Sequence, residues 1–199
     1  MRWPMAVVSA VGGGAPDGAD PAGPWVSVNV SARQLREAAF VGDVAAALAA
    51  AGLVPARLVL EITEGVLMHD TPAVLARLHA LKALGVRLAV DDFGTGYSSL
   101  AYLHRFPLDV LKVDRAFVHR LGGGGGGGAD SGAALARTVL GLGAALGLRC
   151  VAEGVETAAQ RDALRAMGCE WGQGFLFARP LGAAEAAARF ATPPAACSS

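Results

Sequence analysis

The chain alternates short apolar runs, several rich in β-branched residues, with longer stretches whose apolar positions recur at helical spacing. The predicted strands are Trp25 to Val30, Leu58 to Ile62, Arg87 to Val90, Val110 to Val113, Arg149 to Ala152 and Gly174 to Phe177. The predicted helices are about Ala32 to Ala51, Pro72 to Leu84, Ser98 to Arg105, Ala133 to Leu146 and Ala158 to Met167. This alternation predicts an α/β fold with a parallel sheet covered by helices.

Glycine marks both the predicted helix ends and the predicted loops. Four glycines follow helical stretches, where a left-handed cap is expected: Gly52, Gly85, Gly147 and Gly168. Residues 1–24 predict a flexible lead-in, residues 122–132 a disordered glycine-rich loop, and residues 191–199 a disordered tail. The folded domain is therefore expected to span residues 25–190.

Each apolar run is associated with polar side chains near its expected carboxyl end. These side chains form the predicted rim: Asn29, Glu61, Asp91, Asp92, Lys112, Glu153 and Gln173. In a parallel βα fold the carboxyl ends of the strands share one edge, and in a closed barrel they converge on one axial site. The pattern therefore predicts a single site at this edge.

The rim combines carboxylate and amide oxygens with one lysine and contains neither histidine nor cysteine. Such ligands favour Mg²⁺ or Mn²⁺ over zinc, and two such cations bridged by a carboxylate are a standard device for hydrolysing a phosphodiester. Lys112 would then hold the attacking water or a phosphate oxygen, and Glu153 would take the proton. In the alternative interpretation Asp92 is only a helix cap, and Lys112 forms a barrel-end ion pair with Asp114.

The overall composition narrows the class of protein. Seventeen basic residues balance seventeen acidic ones in a chain that is 53% hydrophobic, which predicts one globular domain without a DNA-binding surface. No apolar run reaches the roughly 18 to 20 residues that a membrane span needs. The three cysteines lack the spacing of a zinc site, which favours a reducing cytoplasm. Secretion is the alternative, because residues 1–11 weakly match a signal peptide.

Six segments carry a resemblance to a known family. They are Val28-Asn29-Val30-Ser31, Leu60-Glu61-Ile62-Thr63-Glu64, Asp91-Asp92-Phe93-Gly94-Thr95-Gly96-Tyr97-Ser98-Ser99-Leu100, Leu111-Lys112-Val113-Asp114, Ala152-Glu153-Gly154-Val155-Glu156 and Gln173-Gly174-Phe175-Leu176-Phe177. In order and spacing they resemble the EAL-domain family of bacterial cyclic di-GMP phosphodiesterases, over about residues 25–182. The resemblance implies a modified TIM barrel that opens cyclic di-GMP to linear pGpG with Mg²⁺ or Mn²⁺, in the intact family site with two ions.

The resemblance also implies roles for individual residues. It implies metal ligands at Asn29, Glu61, Asp91 and Asp92, a general base or second-metal ligand at Glu153, and a cation at Lys112 that positions water or phosphate. Supporting or substrate-binding positions are implied at Gln173, Asp114, Glu64 and Glu156. The loop from Phe93 to Ser99 resembles a segment that shapes the metal site and contributes to homodimer contacts.

The chain departs from the family in one respect: it contains no Glu-Ala-Leu tripeptide. It resembles the C-terminal three-quarters of the domain. About six of the eight strands are expected to be present, and one metal-ligating carboxylate is expected to be missing. We therefore expect weaker metal binding and little hydrolysis from the isolated chain. Two functions remain open: a phosphodiesterase whose missing segment comes from upstream or from another chain, and a degenerate module that binds cyclic di-GMP or a protein partner without hydrolysis.

Overall fold

The computed structural model describes residues 25–68, 71–93, 103–121, 128–182, 184–186 and 188. The strands are β1 (Val26–Val30), β2 (Leu58–Thr63), β3 (Arg87–Phe93), β4 (Val110–Val113), β5 (Arg149–Ala152) and β6 (Trp171–Gly172). The α-helices are α1 (Ala32–Arg36), α2 (Phe40–Ala51), α3 (Glu64–Met68), α4 (Pro72–Ala83), α5 (Arg115–Val118), α6 (Gly128–Ala145) and α7 (Ala158–Ala166). A 3₁₀ turn, Pro55–Arg57, precedes β2.

The six strands form one parallel sheet in chain order, β1 to β6. Alternate strand positions face the helices and form the main core, where Leu60, Leu88 and Leu111 are fully buried. Helices α2 and α4 contribute Val44 and Leu78 to the same core. Because side chains alternate across a strand, the remaining positions point to the opposite face of the sheet.

The opposite face is concave, because side chains at its two outer strands meet. Trp25, directly before β1, stacks on Trp171 of β6 with ring centroids 5.1 Å apart. The guanidinium of Arg149 lies 5.4 Å from the Trp25 ring centroid and 4.7 Å from that of Trp171. We call the inward-facing residues at the amino ends of the strands the floor: Trp25, Val59, Ala89, Val110, Val151 and Trp171, with Arg87 and Arg149 against the tryptophans.

The predicted helix Ala32 to Ala51 is wrong in one respect, because the structure divides it into α1 and α2. Glu37 has an extended backbone and ends α1, and α2 begins at Phe40. Leu35 and Phe40 are both buried, yet residues five apart do not share a face of one helix. The break lets both side chains reach the core.

The predicted last strand, Gly174 to Phe177, is also wrong, since β6 comprises Trp171–Gly172 and residues 174–177 form a turn. Gly174 lies directly against the backbone of Val155, where even a Cβ atom would come too close. The turn is closed by the amides of Phe177 and Ala178, which donate to the Gly174 carbonyl. Gln173 therefore follows a strand, as the rim requires.

The predicted disordered loop at residues 122–132 extends too far, because α6 already begins at Gly128. Gly132 belongs to this helix and lies so close to Arg120 that a Cβ atom would overlap the arginine Cβ. This glycine therefore permits a close contact instead of loosening the chain. The lead-in, residues 122–127, most of the predicted helix Ser98 to Arg105 and the tail 191–199 lie outside the described residues.

The remaining strand predictions are confirmed to within three residues, and β4 and β5 match residue for residue. All four predicted caps have positive φ angles: Gly52, Gly85, Gly147 and Gly168. Cys150 and Cys169 are free thiols. Among the described helices, none is both long and apolar enough to cross a membrane.

Candidate active site

Lys112, on β4, lies at the centre of the rim and is almost fully buried. Its Nζ atom is 2.7 Å from Glu61 Oε2, 3.0 Å from Asp91 Oδ1 and 2.5 Å from Glu153 Oε1. Burial alone would lower the pKa of Lys112, but the surrounding carboxylates raise that pKa above its ordinary value. The lysine is therefore held in its charged form by acids from three other strand ends.

Asp91 and Asp92 reach the same site although they are adjacent in sequence. Asp92 has a φ of 54°, in the left-handed region, and its amide donates a hydrogen bond to Asp91 Oδ1 at 3.0 Å. The pairing of β3 with β4 shifts register between Val90 and Phe93. As a result, one carboxylate oxygen each from Asp91, Asp92 and Glu153 lie within 4.8 Å of one another. The positive φ of Asp92 and the register shift therefore let adjacent aspartates reach one site.

The electrostatics of this cluster fit a bound cation. Burial raises the pKa of Glu153 to about 7, with Asp91 and Glu61 adding to the effect and Lys112 opposing it. Burial, followed by the charge of Asp91, raises the pKa of Asp92 as well. The carboxylates can carry more negative charge than the one lysine neutralises. Their oxygens are the ligand atoms that hard divalent cations prefer. The residues present are therefore suited to hold a hard divalent cation.

Gln173 joins the last strand to this cluster. Its side-chain Nε2 atom donates a hydrogen bond to Glu153 Oε1 at 2.6 Å. Its backbone carbonyl accepts a hydrogen bond from the backbone amide of Val155 at 3.0 Å. The segment after β5 is thus tied to the segment after β6 through both backbone and side chain. This contact fixes the carboxylate of Glu153 against Lys112.

The other predicted site residues lie at the same edge in different environments. Asn29 is exposed and lies opposite Glu61 in the β1–β2 register. Asp114 is buried and caps α5, with its Oδ1 accepting a hydrogen bond from the Ala116 amide at 2.7 Å. Asp114 is thus a helix cap, whereas the alternative interpretation paired it with Lys112; the ion-pair partners of Lys112 are the three acids above.

Two further predicted residues follow strands β2 and β5. Glu64 is buried and begins α3, directly after β2. Glu156 is exposed, and its Oε1 lies 3.6 Å from His119 Nε2. Of the predicted dimer loop, Phe93 alone belongs to the described residues, and it is buried.

Sequence reasoning missed Gln160, a buried residue in the first turn of α7. Its Oε1 atom accepts hydrogen bonds from the amides of Glu156 at 2.8 Å and Thr157 at 3.0 Å. These bonds hold the segment that follows Glu153. The signal was present in the sequence, because Thr157 and Gln160 have the spacing of a capping box.

The fold and the rim together define a barrel-type α/β protein with an acidic edge around one buried lysine. The sequence model of the EAL domain family matches residues 15–180. The chain therefore belongs to the EAL domain family, and the resemblance seen in the six segments is confirmed.

Individual relatives agree with this assignment. The chain is 45% identical over 156 residues to the bifunctional diguanylate cyclase/cyclic di-GMP phosphodiesterase MucR of Pseudomonas aeruginosa, covering 78% of this chain and 22% of MucR. The structure of the MucR phosphodiesterase in complex with c-di-GMP gives a TM-score of 0.73 at 44% identity, covering 80% of this chain and 63% of that one. The structure of Klebsiella pneumoniae BlrP1 in complex with manganese and cy-diGMP gives a TM-score of 0.68 at 35% identity. The match covers 77% of this chain and 38% of the BlrP1 chain.

The matched region is a small part of the curated relatives. This chain spans about a fifth of the length of MucR, at 22%.

Proposed function

We propose that this chain carries the catalytic rim of a metal-dependent phosphodiesterase that hydrolyses cyclic di-GMP to linear pGpG. The observation that supports this most directly is the pairing of Lys112 with Glu61, Asp91 and Glu153 beside the Asp91, Asp92 and Glu153 cluster. An anionic substrate would be repelled by these carboxylates unless a cation offset their charge. Relatives with c-di-GMP in their structures support the choice of substrate.

We assign the metal ligands to Asn29, Glu61, Asp91 and Asp92, with Glu153 beside them as the general base or a ligand of the second metal. These side chains offer oxygen atoms, and those of Asp91, Asp92 and Glu153 already converge on one point. When bound, Mg²⁺ or Mn²⁺ neutralises charge on the phosphate and lowers the pKa of water. Two ions are expected in the complete site.

The chain's own residues supply positioning and proton transfer. Glu153 is the residue best placed to accept the proton of the attacking water. Burial raises its pKa to about 7, which suits a general base, and Gln173 orients its Oε1 atom. Lys112 supplies a fixed positive charge for a phosphate oxygen or the water. Asp114 and Glu64 support the rim from α5 and α3, and Glu156 extends the segment after Glu153.

The test is hydrolysis of cyclic di-GMP in Mg²⁺ or Mn²⁺, followed by chromatography of pGpG, together with calorimetric titration of Mn²⁺. It is run on this chain and on the chain fused to a family-type Glu-Ala-Leu segment, because one expected carboxylate is missing from the sequence. Asp91→Asn should abolish turnover and greatly weaken Mn²⁺ binding. Asp43→Asn is the matched control, since Asp43 is an exposed aspartate on α2.

The alternative is a degenerate member that binds cyclic di-GMP or a protein partner without hydrolysis. The missing Glu-Ala-Leu tripeptide favours it for the isolated chain. Binding of cyclic di-GMP without turnover, in both the chain and the fusion, would establish this alternative.

A homodimer through the Phe93 to Ser99 loop and a location in the reducing cytoplasm complete the proposal, and the free thiols of Cys150 and Cys169 support the latter.

A further inference from the structure

The pairing between β3 and β4 is interrupted beside Lys112. The register runs regularly up to Val90 and Leu111 and resumes at Phe93 and Val113. Two residues of β3, the rim aspartates, therefore stand opposite the single residue Lys112, which is the arrangement of a β-bulge. Regular pairing with β3 thus ends one residue before Lys112, so on this side the position of the lysine depends on how the start of β4 is held.

Asp109, directly before β4, connects both neighbouring strands at their amino ends. Its amide donates a hydrogen bond to the Leu88 carbonyl at 2.9 Å, and its Oδ2 atom accepts one from the Leu88 amide at 2.8 Å. Its carbonyl accepts a hydrogen bond from the Arg149 amide at 2.9 Å. One residue therefore fixes the start of β4 to β3 and to β5, three positions before Lys112.

The carboxylate of Asp109 is itself held by an ammonium group. Lys82, in the last turn of α4, places its Nζ atom 2.6 Å from Asp109 Oδ1 and 2.7 Å from Oδ2. The two side chains are 31% and 30% exposed, so the pair is partly shielded from water. Lys82 and Lys112 are the only lysines of the chain. One of them secures the start of β4 from α4, and the other forms the centre of the rim.

We propose that Asp109 is a positioning residue for Lys112, with Lys82 holding the Asp109 carboxylate in place. The inference rests on the proposed function, in which Lys112 presents a fixed charge to a phosphate oxygen or to water. Because side chains alternate along a strand, Asp109 faces the helices while Lys112 faces the rim, so Asp109 acts through the backbone of β4. A misplacement of about 1 Å in a catalytic site can cost about 100-fold in rate.

The test is acetylation of lysine by N-hydroxysuccinimide acetate on the whole chain without metal, with the rate at Lys112 measured by peptide mass spectrometry. Lys112 is 4% exposed and should react slowly in the wild type. Asp109→Ala removes the acceptor for the Leu88 amide and should raise the rate at Lys112 about tenfold, as expected for loss of one hydrogen bond to a charged group. Val44→Ala is the matched control, since Val44 is a buried core residue of α2.

The conservative variant is Asp109→Asn, which keeps an oxygen acceptor for the Leu88 amide and loses the charge that pairs with Lys82. Its acetylation rate at Lys112 should lie between those of the wild type and Asp109→Ala, at about threefold above the wild type. Asp109→Asn also replaces Asp109→Ala if the alanine variant does not fold. All variants are compared at a temperature where urea denaturation shows them to be folded. A rate at Lys112 no higher in the Asp109 variants than in Val44→Ala would overturn the inference.

Turnover separates this inference from the proposed function, because acetylation requires neither nucleotide nor metal. In a hydrolysing fusion, kcat should fall in the order wild type, Asp109→Asn, Asp109→Ala, while Val44→Ala stays close to the wild type. Faster acetylation of Lys112 with an unchanged kcat would overturn the catalytic importance of this positioning. Failure of the wild-type fusion to hydrolyse cyclic di-GMP would contradict the proposed function, whereas acetylation would still decide whether Asp109 positions Lys112.

Discussion

The floor and the rim lie on the same strands, yet their chemistry is opposite. Each floor residue on β2 to β6 precedes a rim residue on the same strand end by two positions: Val59 and Glu61, Ala89 and Asp91, Val110 and Lys112, Val151 and Glu153, Trp171 and Gln173. Two positions along a strand keep the side chain on one face. Two residues of strand, about 6.6 Å, therefore separate an apolar, aromatic layer from a layer of paired charges.

The two layers also differ in what they contribute to folding. The floor buries its tryptophans and aliphatic side chains, and the guanidinium groups of Arg87 and Arg149 lie over the tryptophan rings. The rim gathers acids whose pKa values burial raises, as at Glu153 and Asp92. The floor stabilises the fold, whereas the rim is held in place at a cost in stability that binding of a cation would offset.

The comparison teaches that the scaffold and the site can be tested separately. Substitutions in the floor should change the free energy of unfolding and leave the ligand chemistry intact. Substitutions that neutralise acids of the rim should change ligand chemistry and have small or favourable effects on stability. Proteins commonly show this opposition between stability and function at their sites.

The largest expected effect is on the chemistry of the rim. In a hydrolysing fusion, Glu153→Gln should slow turnover of cyclic di-GMP by about 10² to 10⁴, the range for loss of a general base. Nucleotide binding should persist, because the amide keeps nearly the same shape. Rates of pGpG formation measured by chromatography give the answer. Glu170→Gln, an exposed glutamate before β6, should react like the wild type.

A Glu153→Gln variant that still hydrolyses cyclic di-GMP at the normal rate would remove Glu153 from proton transfer. The contrast between the floor and the rim would then depend only on metal binding by the rim. Lys112 would be the next rim residue to test.

The features that local sequence patterns encode can be predicted, whereas the features that depend on tertiary contacts cannot. The rim was accessible because polar residues after apolar runs mark strand ends, and the order of segments matched a family. The position of β6 was not, because Gly174 is set against Val155 by a tertiary contact that no local pattern shows. The division between α1 and α2 likewise depends on the burial of both Leu35 and Phe40.

The floor was only partly accessible from sequence. The sequence places Trp25 at the start of a predicted strand, but the stacking of its ring on Trp171 depends on the curvature of the whole sheet. The network around Lys112 was similarly beyond sequence reasoning, which predicted one shared edge without the partners. Local patterns therefore identify the residues of both layers, whereas their contacts follow from the fold.

The floor should give the largest change in stability. Trp171→Ala removes a nearly buried ring and its stacking partner contact, and we expect a loss of about 3 to 5 kcal/mol in the free energy of unfolding. Urea denaturation followed by circular dichroism measures this loss, with Trp171→Phe as the conservative variant. Mn²⁺ affinity of the folded protein should change by less than about threefold. A parallel collapse of Mn²⁺ affinity would show that the two layers are not separable.

A smaller effect is expected from the acidity of the rim. The folded pKa of Glu153 is about 7, above the ordinary 4.5, so the folded protein binds a proton that the unfolded chain releases between these values. Stability of the metal-free protein should therefore fall as pH rises through about 7, by about 1 to 3 kcal/mol, and be fully restored below pH 4.5 as far as this group is concerned.

The measurement is urea denaturation of the metal-free protein across pH 4.5 to 8, with the Glu153→Gln curve subtracted to remove other groups. The difference should vanish in saturating Mn²⁺, because the cation stabilises the charged carboxylate. A difference curve that is flat without metal would mean that the rim carries no such electrostatic cost, and the contrast with the floor would lose its basis.

The smallest expected effect concerns Gln160, which supports the rim without touching the ligand cluster. Gln160→Ala removes the acceptor for the amides of Glu156 and Thr157, and buried amides without a partner cost about 1 to 2 kcal/mol. The segment after β5 would then hold Glu153 less firmly, and we expect kcat to fall about tenfold with little change in KM. Thr71→Ala is the matched control: it removes a side-chain cap from the Val74 amide on α4, at similar cost in stability. If both variants lose the same stability and the same kcat, Gln160 acts only through general stability; a fall in kcat confined to Gln160→Ala would show that positioning of Glu153 sets the rate.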